Sequence, residues 1–420
     1  MIGLAALVVS SLTVRFAAPP ADADAWPQWG GPNRNFVVSA RPLAEAWPAE
    51  GPRQRWRKPI GPGYSSIVTD GQTLYTLARD GGDDVAIALD AATGQTIWES
   101  RYAAPFDETC SERLGPVPRA APLMIDAGGA RLITTSAGGL MTSFDRGTGA
   151  RQWQVNLVRE TAAVRACGYS ASPVAFEDFI ITTAGGKGRG VVAIRVATGG
   201  IEWQSQDFDN GYSSPLLIDL DGRPEVIVFT YGEISGLNPS TGALEWTVAH
   251  PSDQGVNVAT PIWGADNLLF VSSAYGGGSR VLKLARAADG KVAVREVWAN
   301  RRVRLHFGNA VRIGTRVYAS NGDFGAAPFA AIDIGTGDTI WRDRSVARST
   351  VLGAGDKLLI LDEDGTLVLA RPSDTGLTIL AKAAVLRSRS WTAPTLSGST
   401  LYLRNNSEIV ALDLGPPSRP

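Results

Sequence analysis

Only two histidines occur in this 420-residue chain, and one of them, His306, stands among groups that move protons or hold anions. Arg304, His306 and Asn309 precede a short apolar segment, and Asn321 and Asp323 follow the next one. An Asp–His pair made of Asp323 and His306 has the chemistry of a general base. The plainer reading has His306 bonding to backbone in its own loop while Asp323 caps the turn 321–325. Tyr64, Arg119, Tyr169, Tyr212, Asn257, Arg348, Arg389 and Trp391 stand at similar points ahead of apolar segments. With Arg304, His306, Asn309 and Asp323 they supply the aromatic faces and forked cations that hold a flat anionic ligand. Equally, they suit a hydrated opening that holds nothing.

Other chemistry-bearing motifs are fragmentary. AGGKGRG (184–190) has phosphate-loop glycines without the spacing or the following helix. DLDG (219–222) and DEDG (362–365) lack the downstream acid of a calcium loop and suit tight turns. Gly-x-Ser-x-Gly and the C-x-x-C-H haem motif are both absent from the sequence.

The elements that must position these groups are written in a repeat. ALDAATGQTIW (88–98), SFDRGTGARQW (143–153), AIRVATGGIEW (193–203), GLNPSTGALEW (236–246) and AIDIGTGDTIW (331–341) share a Thr-Gly turn with Trp four residues on. SDTGLTIL (373–380) is a worn copy with Leu380 in place of Trp, and Asp289-Gly290 reaches Trp298 after four extra residues. The turn glycines are spaced from 39 residues (Gly337 to Gly376) to 55 (Gly94 to Gly149). Strand-built units of this period make a propeller. The Asp of the motif is placed to accept turn N–H groups, and Gly tolerates the positive φ the turn needs. Trp on the outer strand is expected to pack on the neighbouring blade. Burying about 150–250 Å² of indole contributes about 4–6 kcal/mol as an upper bound. Trp56, Trp98, Trp153, Trp203, Trp246, Trp298 and Trp341 are therefore read as structural docking residues.

Third strands end near Asp90, Asp145, Arg195, Asn238, Arg286, Asp333, Arg371 and Asp413, which counts eight units. The last has no outer strand after it, whereas the segment around Trp56 is an outer strand with nothing before it. Pairing the two predicts an all-β, eight-bladed propeller of four-stranded antiparallel blades, closed by the N-terminal strand. Loops entering first strands and leaving second strands then share one face, the channel mouth, where all the candidate site residues gather.

Net charge is −1, with both signs interspersed, so nothing points to nucleic acid. Residues 2–14 form an apolar run too short to span a bilayer, followed by a small-residue tract ending at Ala25. It reads as an export signal cleaved after Ala25, atypical in having Arg15 after the run and no basic residue before it; a later-than-true start codon would account for this. No cysteine near the cleavage point marks a lipid anchor. The expected organisation is 1–25 signal peptide, 26–52 N-terminal extension, 53–413 propeller and 414–420 tail, in a monomeric, periplasmic or secreted protein without a transmembrane segment.

The A-x-D-x-x-T-G-x-x-x-W repeat resembles that of the pyrroloquinoline quinone (PQQ)-like propellers over residues 53–413. That family includes quinoprotein alcohol dehydrogenases and the propeller lipoprotein of the outer-membrane β-barrel assembly machinery. The leader WPQWGGPNR (26–34) also resembles the start of bacterial members of the group. The resemblance implies either of two functions. One is a non-catalytic interaction scaffold in the cell envelope, with a protein partner of outer-membrane assembly type. The alternative is an oxidoreductase binding PQQ and calcium at the channel mouth. The dehydrogenases carry adjacent cysteines, a Glu/Asn/Asp metal site and an Asp base, none of which can be matched here, so the expectation leans away from an enzyme. The two cysteines, Cys110 and Cys167, lie in loops entering blades two and three, and an exported chain is expected to join them as a disulfide.

Overall fold

The computed structural model describes residues 24–416, apart from 40–41, 107–114, 159–166, 307, 324 and 326. The expected signal peptide up to residue 23, Cys110 and the tail from 417 lie outside the described residues. The chain forms eight antiparallel sheets arranged as blades, and the single helix among the described residues is the 3-10 turn Asp253–Gly255.

Blade one shows the construction. Its inner strand Val68–Thr69 pairs with Thr73–Asp80, then Asp83–Asp90, then the outer strand Thr96–Ala103. The two middle strands are buried on both faces between neighbouring blades, so they read as continuous apolar runs. The outer strand alternates toward solvent. Blade eight is built from both ends of the chain, as expected: Arg53–Pro59 pairs antiparallel with Glu408–Asp413, Trp56 opposite Ala411.

In every blade the register slips by one residue where the outer strand reaches the docking position, as between Thr96 and Trp98 opposite Leu89 and Ala88. This bulge turns the indole out of its own sheet and onto the next blade. Trp98 lies so close over Gly149 that a Cβ there would fall 2.5 Å from the ring. Each docked indole N–H also donates to the carbonyl three residues before the next turn glycine. Trp56 reaches Ala91 O, Trp98 Arg146 O, Trp153 Val196 O, Trp203 Pro239 O, Trp298 Ile334 O and Trp341 Ser373 O, at 2.8–3.0 Å. Asp90 and Asp145 hold their turns by accepting from the Thr N–H and hydroxyl, as the motif predicts.

Trp246 departs from the docking expectation. Its N–H donates 2.9 Å to Glu225 Oε2 inside its own blade, because blade five carries Asp289-Gly290 on a longer hairpin instead of the Thr-Gly turn. The fully buried Glu225 also accepts from Arg286 of blade five, which reaches Glu245 at 3.0 Å as well. A carboxylate–guanidinium latch thus stands at this junction in place of indole-on-glycine docking.

Candidate functional site

The entering loops carry recurrent hydroxyls, and these lock the blades to one another around the axis. Ser65 Oγ donates to Ala120 O, Ser172 Oγ accepts from Ala121 N, Ser214 Oγ accepts from Ser172 N, and Ser213 Oγ donates to Ala259 O. Thr395 Oγ1 closes the ring onto Ile67 O. Several of the sequence-predicted mouth residues belong to this inner wall. Tyr169 is buried, its hydroxyl bonded 2.7 Å to Ala184 O and pushed by burial to a pKa of about 12. Asn257 donates to Thr230 O and Tyr231 O and accepts from Ser252, while Tyr212 N donates to Asn257 O. Asn309 makes a two-way bond with Val351, joining blades six and seven. Arg119 donates to the carbonyls of Gly115 and Cys167. The repeated Tyr-Ser-Ser and Tyr-Ser-Ala-Ser strings were the signal for this ring.

The remaining predicted residues are brought together over blades five to eight and the loop entering blade one. Tyr275 stands edge-on to His306, ring centroids 4.9 Å apart, and its hydroxyl shares a hydrogen bond with His306 Nε2. Asp323 Oδ2 is paired with Arg304 Nη1 at 2.6 Å. Arg348 donates to the carbonyls of Asp323 and Gly325 and pairs with Glu363 at 3.3 Å. Glu363 also accepts from Trp391 Nε1 at 3.1 Å. Trp391 in turn carries Arg389 over its face at 4.4 Å and Tyr64 against its side at 5.4 Å. Glu363, from the DEDG turn, is a mouth residue that the sequence reading did not single out as a site residue.

His306, Asp323, Arg348 and Trp391 line one cleft of about 20 Å³, room for about one water. Burial and the nearby Arg348 charge hold His306 down at a pKa of about 4. Burial, then Asp323, pushes Tyr275 up to about 12. Both are neutral at physiological pH. A general base works best with a pKa near the operating pH, so His306 is a weak one as placed.

The channel itself is occupied by the leader. Trp26 exchanges backbone bonds with Thr69 of blade one, Met124 N of blade two donates to Pro27 O, and Trp29 Nε1 donates to Thr260 of blade five. Val37–Val38 adds a parallel fifth strand to the axial edge of blade seven, opposite Gly353 and Ala354. Ser397 of blade eight donates to Asp24 O. Between these points the chain folds back at Gly30, where φ is +77° and a Cβ would fall 2.7 Å from the Arg34 backbone. That turn delivers Arg34, only 4% exposed, to Ser172 O, Pro173 O and Pro215 O of blades three and four at 2.8–3.1 Å. A segment touching the inner parts of seven blades within fifteen residues has to lie on the axis. Burial lowers the Arg34 pKa to about 9, still charged at neutral pH, and carbonyl dipoles solvate it.

A flat quinone with a divalent cation needs an axial slot and carboxylates able to face the metal. Here Arg34 and its neighbours stand on the axis, and Asp323 and Glu363 are engaged by Arg304, Arg348 and Trp391. Among the described residues no three His, Cys, Asp or Glu converge. The residues do not fit that group.

No curated protein matches the chain. Among solved structures, BamB from Moraxella catarrhalis superposes with a TM-score of 0.60 at 17% identity, over 86% of this chain and 99% of that one. Quinohemoprotein alcohol dehydrogenase from Comamonas testosteroni gives 0.65 at 13% identity, over 94% and 81%. Saccharomyces cerevisiae Sqt1 gives 0.59 at 10%, over 88% and 100%. At such identities the likeness is one of fold. Matches over residues 27–221 and 137–379 to the family model described as outer membrane protein assembly factor BamB span most of the sequence, and the chain belongs to this family of PQQ-like propellers.

Proposed function

We propose that this protein is a non-catalytic scaffold of the bacterial cell envelope that presents its mouth face to a protein partner in outer-membrane assembly. The observation that carries the reading is the channel filled by the chain's own leader, with Arg34 bonded to three inner carbonyls. The family match supports the partner class. In this reading residues 1–25 are the export signal, whose removal takes away the Asp24 contact to blade eight, 26–52 an extension that corks the channel through its bonds to the other six blades, and the mature protein is a periplasmic monomer with a Cys110–Cys167 disulfide. Among the described residues no helix is long and apolar enough to cross a membrane.

Tyr231, 39% exposed beside the mouth, is the natural probe position. A photo-crosslinking side chain at position 231 is expected to trap a β-barrel assembly component in intact cells, detected with antibody. The same probe at Ile97, exposed on an outer strand, is expected to trap none. Equal trapping from both sites, or from neither, overturns the scaffold reading. Stoichiometric uptake of PQQ with calcium by calorimetry would overturn it in favour of an oxidoreductase.

A further inference from the structure

Adjoining the mouth cluster, the outer strands of blades five and six flank a cleft of about 670 Å³. Arg301 and Arg302 enter it from the turn after the blade-five strand Val292–Asn300, and Arg342 and Arg344 from the blade-six strand Thr339–Ala347. Arg304 and Asp323 form its inner end. Arg304 is paired with Asp323. Among the described residues Arg301, Arg302, Arg342 and Arg344 have no carboxylate partner and all are exposed. The nearest acid in sequence, Asp343, is occupied by Ser345, whose N–H and hydroxyl donate to its Oδ1 at 2.7 and 2.6 Å. Five guanidiniums therefore face one carboxylate in a protein whose net charge is −1.

We propose that this cleft binds a phosphate-bearing ligand with at least two negative charges. Four unpaired guanidiniums in one concavity repel each other, and a polyanion relieves that repulsion as it binds. The planar forked donors of Arg match phosphate oxygens two at a time. The volume lies within the range of small-molecule sites and suits a compact head group better than an extended acidic peptide. The cleft shares Arg304 and Asp323 with the mouth cluster, but its four outer guanidiniums take no part in the scaffold reading, so the two readings stand or fall by different experiments. Two sources offer this chemistry in an envelope, a free phosphate compound and the head group of an anionic lipid.

The test is calorimetry of the full mature protein with inorganic pyrophosphate, together with cosedimentation on phosphatidylcholine vesicles and on vesicles containing cardiolipin, whose head group carries two phosphates. Saturable binding is expected to at least one phosphate probe and not to phosphatidylcholine. Pyrophosphate alone identifies a free compound as the source, and cardiolipin vesicles alone a lipid head group. Arg342→Ser/Arg344→Ser, two exposed positions, is expected to weaken binding at least tenfold with circular dichroism unchanged. Arg342→Lys/Arg344→Lys retains the charge and is expected to recover only part of it. No saturable binding, binding unaffected by the Ser variants, or equally tight binding of polyglutamate overturns the proposal.

Discussion

His250 and His306 are both held at a pKa of about 4, first by burial and then by a neighbouring Arg, Arg280 and Arg348 respectively. An unfolded histidine titrates near 6.5, so between about 6.5 and 4 the unfolded chain binds more protons than the native one. Stability contributed by these rings is full above that window and is lost as pH falls through it, by about 1.4 kcal/mol per pH unit for each ring at most. Asp84 works the other way, since burial raises its carboxyl to about 6 despite the 2.8 Å bond from Arg79. Urea midpoints measured from pH 7 to pH 4 should fall, and His250→Gln/His306→Gln should flatten the slope. Ring resonances titrating near 6.5 would contradict the account. The residue types around His306 were legible in the sequence, but the pairing was not. Asp323 sits next to Arg304, and only coordinates could show that the carboxylate goes to the guanidinium and the imidazole to Tyr275.

The docking strand supplies its own contrast among elements. Trp153→Ala removes an indole that covers Gly199 and donates to Val196 O, and should cost about 3 kcal/mol in chemical denaturation. Gly199→Ala should destabilise by about 1–3 kcal/mol, since φ is +74° and the new Cβ would fall 2.8 Å from that ring. At the exceptional junction, Glu225→Ala should cost more, about 3–5 kcal/mol, by leaving Arg286 buried beside an empty position. If Glu225→Ala proved milder than Trp153→Ala, the latch would not carry that junction. The ordinary docking contact was readable because both halves repeat in the sequence. The latch was not, because Glu225 and Arg286 lie 61 residues apart with no recurring pattern.

For the whole molecule the leader is the decisive part. Arg34→Lys keeps a charge but cannot reach Ser172 O, Pro173 O and Pro215 O with one ammonium, so it should destabilise by about 2–3 kcal/mol. Thermal melting checks this, and an unchanged melting temperature would count against the cork. Removing residues up to 38 should leave eight blades by circular dichroism while opening the channel to solvent. Removing Arg53–Pro59 should expose the edge of Glu408–Asp413 and cause self-association, visible by light scattering.

Blade number, ring closure at Trp56 and six of the seven docking indoles follow from the sequence alone, because each depends on a local turn-and-strand motif copied along the chain. The course of WPQWGGPNR does not, although its Trp, Pro and Gly content marks it as special. Its bonds run to five blades that are distant in sequence and meet only at the axis. The same holds for the mouth, where residues that could have held a ligand engage one another once the ring closes. Local periodicity decided the fold, and convergence of loops in three dimensions decided what the channel and its face hold.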